Sequence, residues 1–256
     1  MTSCFANTMS GIDNMKISIR DVKQTARETL LGNWSDHLSY SLGLLALEMI
    51  CVYVVGMFNE TGFMASLFSI VIAAILQLLL GLFYAGALQH FLKSVRGESG
   101  SIQDFIMPFR SQPDRFLIVG LITLAAGFVI FSPIFFSGLF ASPSAAGAVW
   151  FRFIWMLIGI ILYSAVRLSL SMSVFLLLED PSKGAIESVR ESMDLMKGHK
   201  MQLFLLFLSF IGYGLLALLT LGAALLWIIP YMMTSLAVFY EKRSLSCKDR
   251  DRFQAL

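Results

Sequence analysis

Four polar residues stand inside long apolar runs of this chain, and they raise the first chemical question. Glu48 lies near the middle of the run 38–57, Gln77 near the middle of 64–89, Arg167 within 151–177 and Tyr231 within 223–240. A charge placed in hydrocarbon costs roughly 3 kcal/mol or more unless it is paired or hydrated. Counted from the run ends that adjoin basic segments, Glu48 and Arg167 sit at similar depth with opposite charge, so an ion pair between them is feasible. Pro230, beside Tyr231, removes one helical hydrogen bond and frees a carbonyl, a common way to bend a helix next to a cavity. Two readings follow. In one, Glu48, Gln77, Arg167 and Tyr231 form a polar midplane site for a solute or a proton. In the other, Glu48 and Arg167 are a structural pair that sets helix register, with Ser164 and Ser171 sharing the solvation of Arg167.

Other chemistry is thin. His37, His90 and His199 fall near the ends of apolar runs, but no Cys or acid stands at metal-ligand spacing, so no metal is expected. No nucleophile–base motif, HExxH, phosphate loop or catalytic carboxylate pair is present, so the sequence points to no catalytic residue, no cofactor and no enzyme. Asp104 and Asp114, near Arg110 and Arg115, read as a solvated charged loop. Cys4 and Cys247 lie in the basic segments and Cys51 within a run, an arrangement that predicts no disulfide.

The elements that would position these residues are apolar helices. Of the 256 residues, 57% are hydrophobic and 14% charged, with a mean hydropathy of +0.75 and a net charge of +2. A soluble chain carries about 25% charged residues. Residues 203–240 hold no Lys, Arg, Asp or Glu at all, and 116–178 hold only Arg152 and Arg167. Those gaps exclude a soluble enzyme, a nucleic-acid-binding domain and a secreted disulfide scaffold. Continuous runs without period-two alternation favour helices over barrel strands. Six spans are expected, about 38–57, 64–89, 116–138, 151–177, 203–221 and 223–240, with the last two joined tightly through Thr220-Leu221-Gly222-Ala223.

Seventeen of the nineteen Lys and Arg residues fall in residues 1–36, in the second and fourth connections, or in the tail 242–256. The connections 58–63, 139–150 and 220–222 hold none. Basic loops resist translocation, so both termini are expected in the cytoplasm. No apolar stretch precedes the first span, so no cleavable signal peptide is expected. Residues 1–14 read as a disordered extension, with Met15 an alternative start to Met1. Residues 15–241 read as one six-helix, all-α polytopic membrane domain, whose expected partners are the lipid bilayer and another membrane protein.

Each pair of spans follows a segment able to form an amphipathic helix. The first opens at Ser18 with Asp21 spaced as a capping box, aligns Ile19, Val22, Ala26 and Leu30, and stops at Gly32. The second, Ser101 to Phe109, is expected to stop at Pro108. The third is expected to start at Asp180 and Pro181 and to end at Gly198. Its apolar stripe would be Ala185, Ile186, Val189, Met193 and Met196, with Lys183–Glu187 and Arg190–Asp194 pairs on the wet face. A threefold plan of surface helix plus hairpin results. Small residues Ala165, Ser169 and Ser173, and Ala73, Gly81 and Ala85, suit close helix approach within the bundle.

Leu31-Gly32-Asn33-Trp34, Asp180-Pro181, Leu195-Met196-Lys197-Gly198-His199-Lys200, Leu208-Ser209-Phe210-Ile211-Gly212, Leu219-Thr220-Leu221-Gly222, Pro230-Tyr231 and Phe239-Tyr240-Glu241 carry a family likeness. In their order and spacing the chain resembles the domain-of-unknown-function 975 family of bacterial six-span membrane proteins, departing from it at Ala224, where a glycine is expected. The resemblance implies that fold and topology in a bacterial cytoplasmic membrane, and supplies no catalytic residues. The expected role is that of a non-enzymatic accessory or interaction protein, with a small transporter or channel using the four polar residues as the alternative.

Overall fold

The structure, a computed structural model, describes residues 18–32, 34–58, 63–140, 146–180 and 182–254. The extension 1–14, the choice between Met1 and Met15, and the placement of Pro181 lie outside these residues. Every regular element among the described residues is a helix. In chain order they are α1 (Ile19–Leu30), α2 (Trp34–Met57), α3 (Phe63–Val95), α4 (Ile102–Arg110), α5 (Pro113–Phe140), α6 (Ala146–Leu170), α7 (Ser173–Glu179), α8 (Ala185–Leu195), α9 (Lys200–Leu208), α10 (Ile211–Leu219) and α11 (Leu225–Gln254). Five stretches are long and apolar enough to cross a membrane: Trp34–Met57, Leu67–Val95, Pro113–Ile134, Gly147–Glu179 and Lys200–Leu219. The expected sixth does not join them. The apolar part of α11 begins only at Leu225 and meets Glu241, Lys242 and Arg243 too soon.

A short amphipathic helix does precede each hairpin: α1 before α2–α3, α4 before α5–α6, and α8 before α9–α10 and α11. Several local expectations change in detail. Ser18 precedes α1, but its side chain makes no capping bond, so that capping box does not form. A capping box forms instead on α4, where the Ser101 hydroxyl accepts from the Gln103 N–H and Asp104 accepts from the Ser101 N–H. Pro108 does not stop α4; it removes one bond near the helix end, and the helix runs on to Arg110.

Asp180 does not cap α8. It closes the preceding turn by accepting from Ser182, and α8 begins at Ala185 behind Gly184. The buried stripe of α8 is Ala185, Ser188, Val189, Ser192 and Leu195, which leaves Ile186 and Met193 exposed. Ser192 faces α6, donating its hydroxyl to the Ser169 carbonyl, and Ser188 returns its own to the Ala185 carbonyl within α8. Lys183 pairs with Glu191 rather than Glu187, and Asp194 pairs with Lys197 at 2.5 Å rather than with Arg190. Gly32 and Gly198 take positive φ (107° and 76°), as expected of helix stops.

Packing is concentrated at one end of the bundle, a collar built from α1, α4, α7 and α8 around the adjoining ends of α2, α3, α9 and α11. One cluster joins Val22 and Ala26 of α1, Phe91 and Leu92 of α3, Phe175 of α7, Leu203 and Leu206 of α9, and Ala237 and Tyr240 of α11. A second joins Val119, Leu170, Leu177, Ala185 and Val189. Toward the far end the hairpins pair within themselves. Trp155 donates to the Ile130 carbonyl at 2.9 Å, and Arg152 donates to Ser137 at 3.0 Å, which fastens α6 to α5. Outward-facing Met49, Val52, Tyr53, Phe128, Val129 and Ile161 are exposed there.

One contact fixes how closely the collar sits on α3. A Cβ on Gly86 would lie 2.4 Å from the Phe105 carbonyl oxygen, so α4 can approach α3 only because residue 86 has no side chain. Gly86→Ala should therefore lower stability by about 1–3 kcal/mol, the range for overpacking. Gly212→Ala, where a Cβ meets nothing within 4 Å, should not lower it. Thermal unfolding of the two purified variants in the same detergent compares them directly.

Candidate functional site

The four polar residues of the apolar runs do not converge. Glu48 is exposed on α2, Gln77 on α3 and Arg167 on α6. No ion pair joins Glu48 to Arg167 among the described residues, because α2 packs on α3 and α11 whereas α6 packs on α5, α8 and α9. Ser164 and Ser171 give their hydroxyls to the Ile161 and Leu168 carbonyls and not to Arg167. Tyr231 is half-buried and faces α1: its hydroxyl lies 3.4 Å from the Lys23 carbonyl, and its ring meets Phe210 and Tyr213.

Three other constellations hold the collar together. The strongest closes on Arg96, one residue beyond α3. Its guanidinium donates to Glu241 of α11 through Nε at 2.9 Å and Nη2 at 2.7 Å, and also to Glu179 at the end of α7. Tyr240, buried and stacked on Phe175, donates its hydroxyl to the other oxygen of Glu179 at 2.8 Å. Burial opposes charge on Arg96, but hydrogen bonds to the two carboxylates outweigh it and hold the guanidinium above its already high range.

The second constellation is a histidine pair. His37 and His90 are both buried, with His90 Nε2 and His37 Nδ1 3.2 Å apart. A hydrogen bond between two imidazole nitrogens needs one lone pair, so at least one ring is neutral whenever the contact exists. Tyr40 stacks on His90 at 3.8 Å between centroids and donates its hydroxyl to the Ser101 carbonyl. A Cβ on Gly100 would come within 2.1 Å of His90 Nδ1, which explains a glycine there. His199 stands apart and contacts Gln202. Among the described residues no three His, Cys, Asp or Glu side chains are grouped as a metal site.

The third is a latch from α1. The Lys23 ammonium lies 4.5 Å from the Phe210 ring centroid and 5.4 Å from that of Tyr213, and donates to the Ser209 carbonyl at 3.2 Å. Ser209 and Phe210 separate α9 from α10, so the latch engages a helix interruption. Partial burial lowers the pKa of Lys23. A second interruption, between α6 and α7, is closed by serines: Ser192 donates to the Ser169 carbonyl, and Ser173 to that of Leu170.

Sequence reasoning missed Arg96 and the histidine pair. A signal for the first existed, since Glu179 and Glu241 are acids placed just where apolar runs end beside basic segments. Nothing local links His37 to His90, 53 positions apart.

Fold and collar together define an all-helical chain with several helices of membrane-crossing length and one end tied by ion pairs and buried side chains. The family described as protein of unknown function (DUF975) matches residues 15–245, and the chain belongs to it. No curated protein and no solved structure matches the chain.

Arg96→Met should lower stability by about 1–2 kcal/mol, a value tempered by its partial exposure, because Glu179 and Glu241 lose a shared cation. Adding Glu241→Gln should recover part of the loss. Thermal melts of the single and double variants measure both.

Proposed function

We propose that this chain is a multi-pass protein of the bacterial cytoplasmic membrane that acts, without catalysis of its own, as an accessory or interaction partner of other membrane proteins. The exposed leucines, isoleucines and phenylalanines along α2, α3, α5 and α6 need an apolar surrounding, which a bilayer supplies. Orientation rests on the basic residues: with seventeen of nineteen on one side, both termini are cytoplasmic and the collar faces the cytoplasm. Three hairpins enter from that side and return to it, so the parity of the termini does not depend on how far each penetrates.

The observation that carries the interaction reading is the outward face of α8. Ile186 is 67% exposed and Met193 41% exposed, on a helix whose other outward residues include Glu187 and Arg190. Several of the collar's charged groups are spent on one another, through Arg96–Glu179–Glu241, Lys93–Asp104 and Lys183–Glu191. Apolar side chains presented among charges are what remains for a partner. The transporter alternative draws less support, because Glu48, Gln77 and Arg167 are exposed on separate helices and Tyr231 is engaged with α1.

Photo-cross-linking from residue 186 in intact cells tests this reading. A discrete protein adduct that disappears on Met193→Glu, in a variant that keeps the wild-type melting temperature, is expected. Adducts to lipid alone would overturn it. Reporter fusions at residue 254 and within the 139–150 connection should place the former in the cytoplasm and the latter outside.

A further inference from the structure

The register at the collar has a consequence for the third hairpin. Arg96 follows the last residue of α3 and is bonded to Glu241 of α11, so the two positions share one level. Both helices rise from there side by side, with Phe91 and Leu92 in the same cluster as Leu236 and Ala237. Phe63, at the far end of α3, lies 33 residues from Arg96, about 50 Å at the helical rise. Leu225, at the start of α11, lies 16 residues from Glu241, about 24 Å. The turn joining α10 to α11 therefore stops roughly 25 Å short of the far end of α3.

The turn itself is built for a place without water. Leu218, Leu219 and Leu221 are 75%, 76% and 97% exposed, and no charged residue accompanies them. Leu221 sits at φ +51°, where water-facing turns favour glycine or asparagine. Every backbone N–H from Thr220 to Leu226 is bonded inside the turn, including Gly222 to the Ala217 carbonyl at 2.7 Å and Leu225 to that of Gly222 at 2.9 Å. The Thr220 hydroxyl donates to the Leu216 carbonyl and accepts from the Ala224 N–H, so the one polar side chain of the turn is consumed within it. Closing these N–H groups within the turn lowers the cost of placing it in hydrocarbon, where each unbonded backbone group costs several kcal/mol.

We propose that the α10–α11 hairpin is re-entrant: it enters the bilayer from the collar side, ends within the hydrocarbon, and presents Leu218, Leu219 and Leu221 to lipid acyl chains. The hairpin is then a wedge in the cytoplasmic leaflet and not a fifth and sixth span. Lys23 clamps its base through Ser209 and Phe210, which ties the depth of the wedge to α1. The inference rests on the membrane orientation proposed above, and the test separates the two.

Full-length protein with Cys4, Cys51 and Cys247 replaced by serine receives single cysteines by Leu221→Cys, Asn59→Cys or Ser144→Cys, and is reconstituted in sealed vesicles. Asn59→Cys and Ser144→Cys should react with a membrane-impermeant maleimide from the side opposite the termini. Leu221→Cys should react from neither side. Once labelled in detergent with an environment-sensitive fluorophore, it should be quenched severalfold more by lipids brominated on their acyl chains than by aqueous iodide. Labelling of Leu221→Cys from the same side as Asn59→Cys would overturn the re-entrant hairpin, and so would protection from both quenchers, which would mean a protein covers the tip. Labelling of Asn59→Cys and Ser144→Cys from the side of the termini would instead overturn the orientation. Leu219→Cys, outside the strained position, repeats the measurement should Leu221→Cys fail to fold.

Discussion

Arg96 fastens the rest of the chain at one point. It stands where the longest helix ends and draws in Glu179, at the end of α7, and Glu241, from the middle of α11. Tyr240 then fills the space beneath, with its hydroxyl on Glu179 and its ring on Phe175. Three segments distant in sequence are brought to one level by a planar donor that can serve two carboxylates at once. The register of α11 on α3, and with it the depth of the final hairpin, follows from that joint.

A second constraint runs through the structure: a helix that stops in an apolar setting must find partners for its freed carbonyls and N–H groups. Here polar side chains supply them, some from within the break and some from a neighbouring helix. Serines serve the break between α6 and α7, Lys23 and Ser209 serve the break between α9 and α10, and Thr220 serves the final turn. The same reasoning separates the collar, where polar groups meet one another, from the far ends, where apolar side chains face outward.

The helical class, the surface helix before each hairpin and the turn at Gly222 were legible because they depend on local composition and on glycine's access to positive φ. The capping details were less so. Ser18 and Asp180 have the right side chains for caps, but tertiary packing shifted the starts or left the caps unused. Glu48 and Arg167 looked complementary by charge and depth, yet pairing needs adjacent helices, and adjacency is set by contacts such as Arg96–Glu241 that span 145 residues. The stripe of α8 was legible in part: Ala185, Val189 and Met196 are buried as expected, but tertiary packing on α7, α5 and α6 buries Ser188 and Ser192 and leaves Ile186 and Met193 outside.

The chain is held together chiefly at the collar, while toward the far ends the side-chain bonds among the described residues run within a hairpin, as between α5 and α6. Spin-label distances in lipid nanodiscs test this most directly. A pair at Gln103 on α4 and Arg190 on α8, both exposed collar positions, should give a narrow distance distribution. A pair at Met64 on α3 and Val149 on α6, exposed at the far end, should give a broad one. Equally narrow distributions at both ends would contradict the account, since they would require a packed core at the far end as firm as that of the collar.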